Sequence, residues 1–225
     1  MIEGISELFF NRPKKDIKDK GHKQLSLEDI KALEARQFPR RSTSSSLQPD
    51  GMSYSYYPPS HYFEIGLVTN DLLNTIALQG QTILSMGAGS AYLERFVSEN
   101  FHILNGQITL ADLNADQLPP KFNHLKADMF EPWGNGENQF DHIWFPHSIL
   151  TPPVDHGSMT TGYERPNRWR SVFTHALPHL KPGGQIRATT QDLKPNEFDW
   201  LKTVLEKYKA EGVYGDEIIV VKKNS

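Results

Sequence analysis

Four short groups of residues have the types and spacings to do chemistry together. Gly87 and Gly89 lie in the run from Thr82 to Ala91, TILSMGAGSA, where apolar and β-branched residues give way to a glycine turn. Glycine turns the backbone without a Cβ clash and lets a ligand approach the main chain. Asp112 stands 25 residues beyond Gly87, close to the offset of about 20 at which a second-strand carboxylate takes the vicinal hydroxyls of a ribose. Asp128 follows another short stretch, with Met129 and Phe130 beside it. An acid there can accept from an adenine amino group while a neighbour packs on the ring. His147 ends the run FDHIWFPH, and its ordinary pKa of about 6.5 lets it exchange a proton near neutrality. Each has a plainer reading beside this one: a solvated acid at a strand end, or a histidine that caps a helix or binds a backbone group.

The elements that would position these groups are legible in the periodicity. Thr82, Ile83 and Leu84 have the character of a buried parallel strand, covered on both faces. Tyr92, Leu93, Phe96 and Val97 then repeat at helical spacing, so the turn opens a helix whose free N–H groups face the same crevice. Strands ending at Asp112 and Asp128 follow, then a strand over Asp141 to Phe145. The segment VFTHALPHLKPGGQIRATTQ supplies a helix, the turn Lys181-Pro182-Gly183-Gly184 and a fifth strand. Near the carboxyl end, a helix around Phe198 to Tyr208 precedes one clear strand, Glu217 to Val221, with Val213-Tyr214 as a remnant of another. Before the first strand, Val68, Leu72 and Ile76 mark a helix between His61 and Leu78. Strand and helix alternate, which makes a doubly wound sheet the economical arrangement.

The chain has 225 residues and a net charge of -3, enough for one good core and too little field to argue for nucleic acid or membrane. It has no cysteine, which excludes disulfides, thiolate zinc sites and a cysteine nucleophile. With no long apolar run and no basic leader, a cytoplasmic protein is the expectation. His142, His147 and His156 match no standard metal-site spacing, so no metal is expected.

Taken in order, these segments resemble the class I S-adenosylmethionine-dependent methyltransferases. ILSMGAGSA looks like the family's glycine-rich first motif and ITLADLN like its second-strand acid motif. LKADMFEPW looks like the adenine motif, FDHIWFPHSIL like the fourth, and LPHLKPGGQI like the turn before the fifth strand. The resemblance covers roughly Ile65 to Val221. It implies an α/β, Rossmann-like, doubly wound and mostly parallel sheet with helices on both faces, and S-adenosylmethionine as cofactor. It also implies that Gly87 and Gly89 approach the methionine part, Asp112 the ribose, Asp128 and Met129 the adenine, and that His147 faces the transferred methyl. The family usually carries an acid where this chain has Ser85, counted as part of the cofactor site, and a third glycine where Ala91 stands.

Residues 1–51 read as a helical and irregular N-terminal extension and linker, and 52–225 as the cofactor-binding domain. Ser26 with Asp29 looks like a helix start and Pro39 like its end. The aromatic stretch SYSYYPPSHYF, with Tyr57 among its members, can close over a ligand or pack the extension onto the domain. The long segment from Thr151 to Arg170 would sit over the carboxyl edge, with Asp155, His156, Tyr163, Glu164 and Arg168 as candidate substrate contacts. The expected activity is methyl transfer to an oxygen or nitrogen of a small molecule, with no membrane partner and no nucleic acid. Ser85 keeps two alternatives open: aminocarboxypropyl transfer from the same cofactor, or a non-catalytic relative.

Overall fold

The structure is a computed structural model that describes residues 23–39, 46–47, 53–54, 57–113, 115–133, 136–137, 139–149, 168–190, 195–215 and 217–225. Helix α1 (Leu27–Gln37) begins where the sequence puts it. The Ser26 hydroxyl accepts from the Asp29 N–H at 3.1 Å, and the Asp29 carboxylate accepts from the Ser26 N–H at 3.1 Å, the reciprocal pairing of a capping box. The helix closes at Phe38, before Pro39. A two-residue ladder joins β1 (Ser46–Leu47) to β2 (Ser53–Tyr54).

Two helices stand where the pattern suggests one. Helix α2 spans Pro59–Glu64 and α3 spans Asn70–Gln79. Between them Gly66 turns the chain at a φ of 75°, a value that favours glycine. Thr69 then caps α3 by accepting from the Leu72 N–H at 3.2 Å. A periodic apolar stripe carries through such a break because both helices bury the same side.

The remaining elements are β3 (Ile83–Met86), α4 (Tyr92–Phe101), β4 (Ile108–Asp112), β5 (Asn123–Lys126), β6 (Phe140–Phe145), α5 (Arg168–His179), β7 (Leu180–Thr189), α6 (Pro195–Lys207), β8 (Ala210–Tyr214) and β9 (Ile218–Lys223). They build a seven-stranded sheet in the order β5-β4-β3-β6-β7-β9-β8. The first five strands of that order are parallel, and β9 runs antiparallel to both β7 and β8. This is the Rossmann-like, mostly parallel sheet expected. Three details differ from the sequence reading. The third strand stops at Lys126, two residues short of Asp128. The Lys181-Gly184 turn is a bulge inside β7, between the pairs Phe140–Leu180 and His142–Gln185. The carboxyl end is a full antiparallel pair, whose first strand is hidden from an apolar scan by exposed Val213 and polar Glu211.

Alternation along the strands sorts the core into two layers. Leu84 and Met86 of β3 pack with Phe145, Trp169, Phe173 and Leu201, beneath α5 and α6. Ile83, with Trp144 and Leu110, packs with Leu73, Phe96 and Phe101 beneath the amino-terminal helices. Helices therefore cover both faces. Helix α1 belongs to this second layer: Ile30 and Phe38 are buried in it. Asn74 and Asn70 of α3 fasten the approach to α1, each giving and taking a hydrogen bond with the backbone of Lys23 and Leu25 respectively.

Candidate active site

Strand order reverses at β3, whose neighbours β4 and β6 lead away in opposite directions. Crevices for ligands open beyond the carboxyl ends of strands at such a switch point. The turn after β3 forms one wall. Gly87 has a φ of 69° and Gly89 a φ of 49°. The N–H groups of Gly87 and Ala88 both donate to the Ala111 carbonyl, at 2.7 and 3.3 Å. One residue further along β4, the Asp112 carboxylate accepts from the Gly89 N–H at 3.1 Å. The turn is thus tied to the end of the second strand by main-chain and carboxylate bonds together.

Space over Gly87 is already narrow. A Cβ there would lie 2.4 Å from Ser148 Cβ and 3.3 Å from Met129 Cε. Glycine is required by this close approach and by its positive φ at once. The Ser148 hydroxyl is buried with no hydrogen-bond partner among the described residues. A buried orphan hydroxyl costs roughly 1–3 kcal/mol, so it marks a place where a polar group of a ligand would be welcome. Asp128 bends the chain after β5, its carboxylate accepting from the Phe130 N–H at 2.9 Å. Met129 leans from there toward Gly87.

Ser85, the third residue of β3, alternates toward the α4 side and is fully buried. Its hydroxyl donates to the carboxyl of Glu94, which reaches across from the first turn of α4. A carboxyl group does therefore stand at this point, delivered by the helix instead of the strand. Glu94 is 1% exposed. Burial pushes its acid up to about 7, against the lowering effect of the Ser85 hydroxyl and its own backbone N–H. Desolvation wins because the carboxyl has left water for a few neutral donors.

His147 follows β6 at the opposite wall. Its backbone is left-handed, with a φ of 55°, and its N–H donates to Thr189 Oγ1 of β7 at 3.1 Å. The imidazole meets three side chains of the aromatic stretch. Tyr57 stacks on it at 3.7 Å between centroids and 13° between planes. His61 Nε2 lies 2.9 Å from His147 Nε2, and Tyr62 stands at 5.6 Å. Tyr62 is buried, and burial first, then the Glu94 charge, pushes its phenol up. Tyr57 thus lies against the residue that follows β6, and Tyr62 is buried in the core layer beneath the amino-terminal helices. Arg187 of β7 holds the end of α2, donating to the carbonyls of Leu67 at 2.6 Å and Gly66 at 2.7 Å.

The structure thus brings Gly87, Gly89, Asp112, Met129 and Ser148 to one corner and Tyr57 and His147 to the next. His142 lies elsewhere: it is buried, bonds Gln81 Oε1 at 2.8 Å, and is pushed down to about 4 chiefly by burial. His156 and Tyr163 lie outside the described residues. Arg168 opens α5, and its side chain is likewise not described. Sequence reasoning missed His61, Glu94 and Ser148. The crowding of aromatics around His61 was a signal for the first. An acid on a helix with buried neighbours at Leu93 and Val97 was one for the second. Nothing in the sequence marks Ser148.

No protein-family model matches the chain, and no curated protein matches it. Solved structures are similar at low identity. The methyltransferase in complex with the Haloferax volcanii Trm112 activator is 12% identical, with a TM-score of 0.47 over 65% of this chain and 83% of that one. Human N-acetylserotonin methyltransferase, solved with S-adenosylmethionine, is 10% identical, with a TM-score of 0.46 over 74% of this chain and 54% of that one. The CurJ carbon methyltransferase is 14% identical, with a TM-score of 0.44 over 74% of this chain and 57% of that one. The chain spans little more than half the length of the last two.

Proposed function

We propose that the protein binds S-adenosylmethionine at the crevice between the ends of β3, β4 and β6, and transfers its methyl group to an oxygen or nitrogen of a small-molecule acceptor. The observation that carries the reading is the corner made by Gly87, Gly89 and Asp112. The two glycines turn the backbone at positive φ, and the Asp112 carboxylate is held at the strand end by the Gly89 N–H. A carboxylate so placed can accept both hydroxyls of a ribose. The residues fit the cofactor on a second count, because the buried Ser148 hydroxyl at the same corner has a hydrogen bond to give and no described acceptor. Asp128 and Met129 would border the adenine, and Ser85 with Glu94 would underlie the methionine end.

When bound, the cofactor supplies an electrophilic methyl on a sulfonium. The chain's own work is alignment, exclusion of water, and removal of a proton where the nucleophile arrives protonated. His147, whose ring Tyr57 stacks on, would take that proton. His156, Tyr163 and Arg168 remain candidates for acceptor contacts on the segment that follows β6. No described helix is long and apolar enough to cross a membrane.

Calorimetric titration with S-adenosylmethionine, for wild type and Asp112→Ala, tests the pocket. Micromolar binding that weakens by roughly 1–3 kcal/mol in the variant is expected. No binding at millimolar cofactor would overturn the reading. An acceptor screen then reads the product: S-adenosylhomocysteine for methyl transfer, methylthioadenosine for aminocarboxypropyl transfer.

A further inference from the structure

A buried carboxylate is ordinarily paired with a cation. Glu94 is 1% exposed, yet it joins no ion pair among the described residues. Its donors there are neutral: the Ser85 hydroxyl and its own backbone N–H. Arg95, its neighbour on α4, lies instead over the rings of Phe38 and Tyr92, at 5.2 and 6.0 Å. Across the sheet from Ser85 stand Leu110 and Trp144. The Trp144 indole N–H is buried without a partner among the described residues, so it too gives the carboxyl nothing. Two features nevertheless ready the group to ionise. It sits in the first turn of α4, where the helix dipole favours negative charge, and it holds the Ser85 donor. It also stands at the crevice, because Ser85 comes two residues before Gly87, whose turn forms the wall.

We propose that Glu94 receives the α-ammonium group of S-adenosylmethionine and gives up its own proton in exchange for that cation when the cofactor binds. This rests on the cofactor reading of the same crevice and deepens it. The step balances: the O–H bond of the Glu94 carboxyl breaks, its electron pair stays on the oxygen, and the proton passes to bulk water. The ligand's ammonium keeps its protons and becomes the counterion. Below about 7, burial holds Glu94 in the acid form, so the ligand must expel a proton to bind. Affinity therefore rises with pH and levels off above that value.

The groups around Glu94 leave this exchange to the ligand. Tyr62 faces it from α2 and stays a neutral phenol, pushed up first by burial and then by the Glu94 charge. Charged groups on the surrounding elements are engaged elsewhere. Glu34 of α1 accepts from the Ser60 N–H at 3.0 Å, Glu64 of α2 from Lys31 at 2.8 Å, Asp71 of α3 from Gln24 at 2.9 Å, and Asp112 of β4 from the Gly89 N–H. His61 of α2 meets His147.

The test is calorimetric titration of the full chain between pH 5.5 and 8.5, in buffers of low and high ionisation enthalpy, with two ligands. S-adenosylhomocysteine carries the ammonium, and methylthioadenosine lacks the amino-acid end. At pH 6, S-adenosylhomocysteine should release close to one proton, and its affinity should climb about tenfold per pH unit below 7 before flattening. Methylthioadenosine should release none and keep one affinity throughout. Proton changes at the shared ribose and adenine contacts are common to both ligands and cancel. Glu94→Gln should bind S-adenosylhomocysteine with no proton release and no pH dependence. The comparison of ligands uses wild type alone, so it decides the matter if that variant does not fold. No proton released by S-adenosylhomocysteine at pH 6, or one pH profile for both ligands, would overturn the proposal and leave the cofactor reading standing. Binding of neither ligand would overturn that reading, and this inference with it.

Discussion

Glu94→Gln should remove a pH dependence of stability that Glu94 imposes on the wild-type protein. The buried Glu94 carboxyl titrates near 7 in the folded chain and near 4.5 when unfolded. Below 4.5 both states hold the proton and the folded protein keeps this contribution in full. As pH rises past 4.5 the unfolded chain releases its proton first, while the folded one retains it until about 7. Stability therefore falls across that window. At 1.36 kcal/mol per pH unit, the interval corresponds to about 3 kcal/mol. His142 works in the opposite sense: burial depresses it to about 4 from 6.5, so its neutral form adds stability as pH rises through the same range. The two nearly cancel in wild type, which makes the comparison with the variant essential. Urea unfolding at intervals from pH 4.5 to 8.5 should show wild-type stability falling relative to Glu94→Gln by about 3 kcal/mol. The slope is diagnostic whatever the absolute cost of burying the new amide. Parallel pH curves for the two proteins would refute the assignment of Glu94 as a buried acid with a raised pKa.

Gly87→Ala should lose about 1–3 kcal/mol in the same unfolding assay, because a Cβ would meet Ser148 at 2.4 Å on a backbone with a φ of 69°. Gly80→Ala, at a φ of 64° with nothing near its Cβ, is the control for the backbone part alone, and an equal loss there would show that crowding by Ser148 contributes nothing. Ser148→Ala removes an unpartnered buried hydroxyl, so the ligand-free protein should be unchanged or more stable by up to about 1 kcal/mol. Calorimetry should nonetheless find cofactor binding weakened in that variant, and unchanged affinity would remove Ser148 from the pocket.

The sheet was legible because buried parallel strands carry their signature in short apolar runs, and Ile83, Leu110 and Ile143 all sit in such runs. The glycine turn and Asp112 were legible for a related reason: a turn that must pass close to a neighbour admits few residue types. What stayed hidden depends on contacts between distant parts of the chain. Ser85 looks like a missing acid until Glu94 is seen to reach it from α4. His61 is an ordinary residue of a tyrosine-rich stretch until α2 folds back over His147, 86 positions later. The break between α2 and α3 was hidden differently, since Gly66 and Thr69 interrupt the backbone without interrupting the apolar side. In β8, exposed Val213, polar Glu211 and Gly212 masked a strand that pairs along its length with β9.

The place of β3 in the sheet also sets the order in which the molecule can be finished on the ribosome. Strands β3, β4 and β5 emerge in succession, with β4 paired to both of the others, so that half-sheet can assemble early. The other edge of β3 belongs to β6, which is complete only when Phe145 has been made. Until then Ile83 to Met86, every one of them buried in the finished protein, form an open strand edge with unpaired main-chain groups. Such an edge is a template for pairing with another nascent chain. Synthesis that pauses between Asp128 and Phe140 would lengthen that exposure, and aggregation during expression should respond to translation speed over that interval.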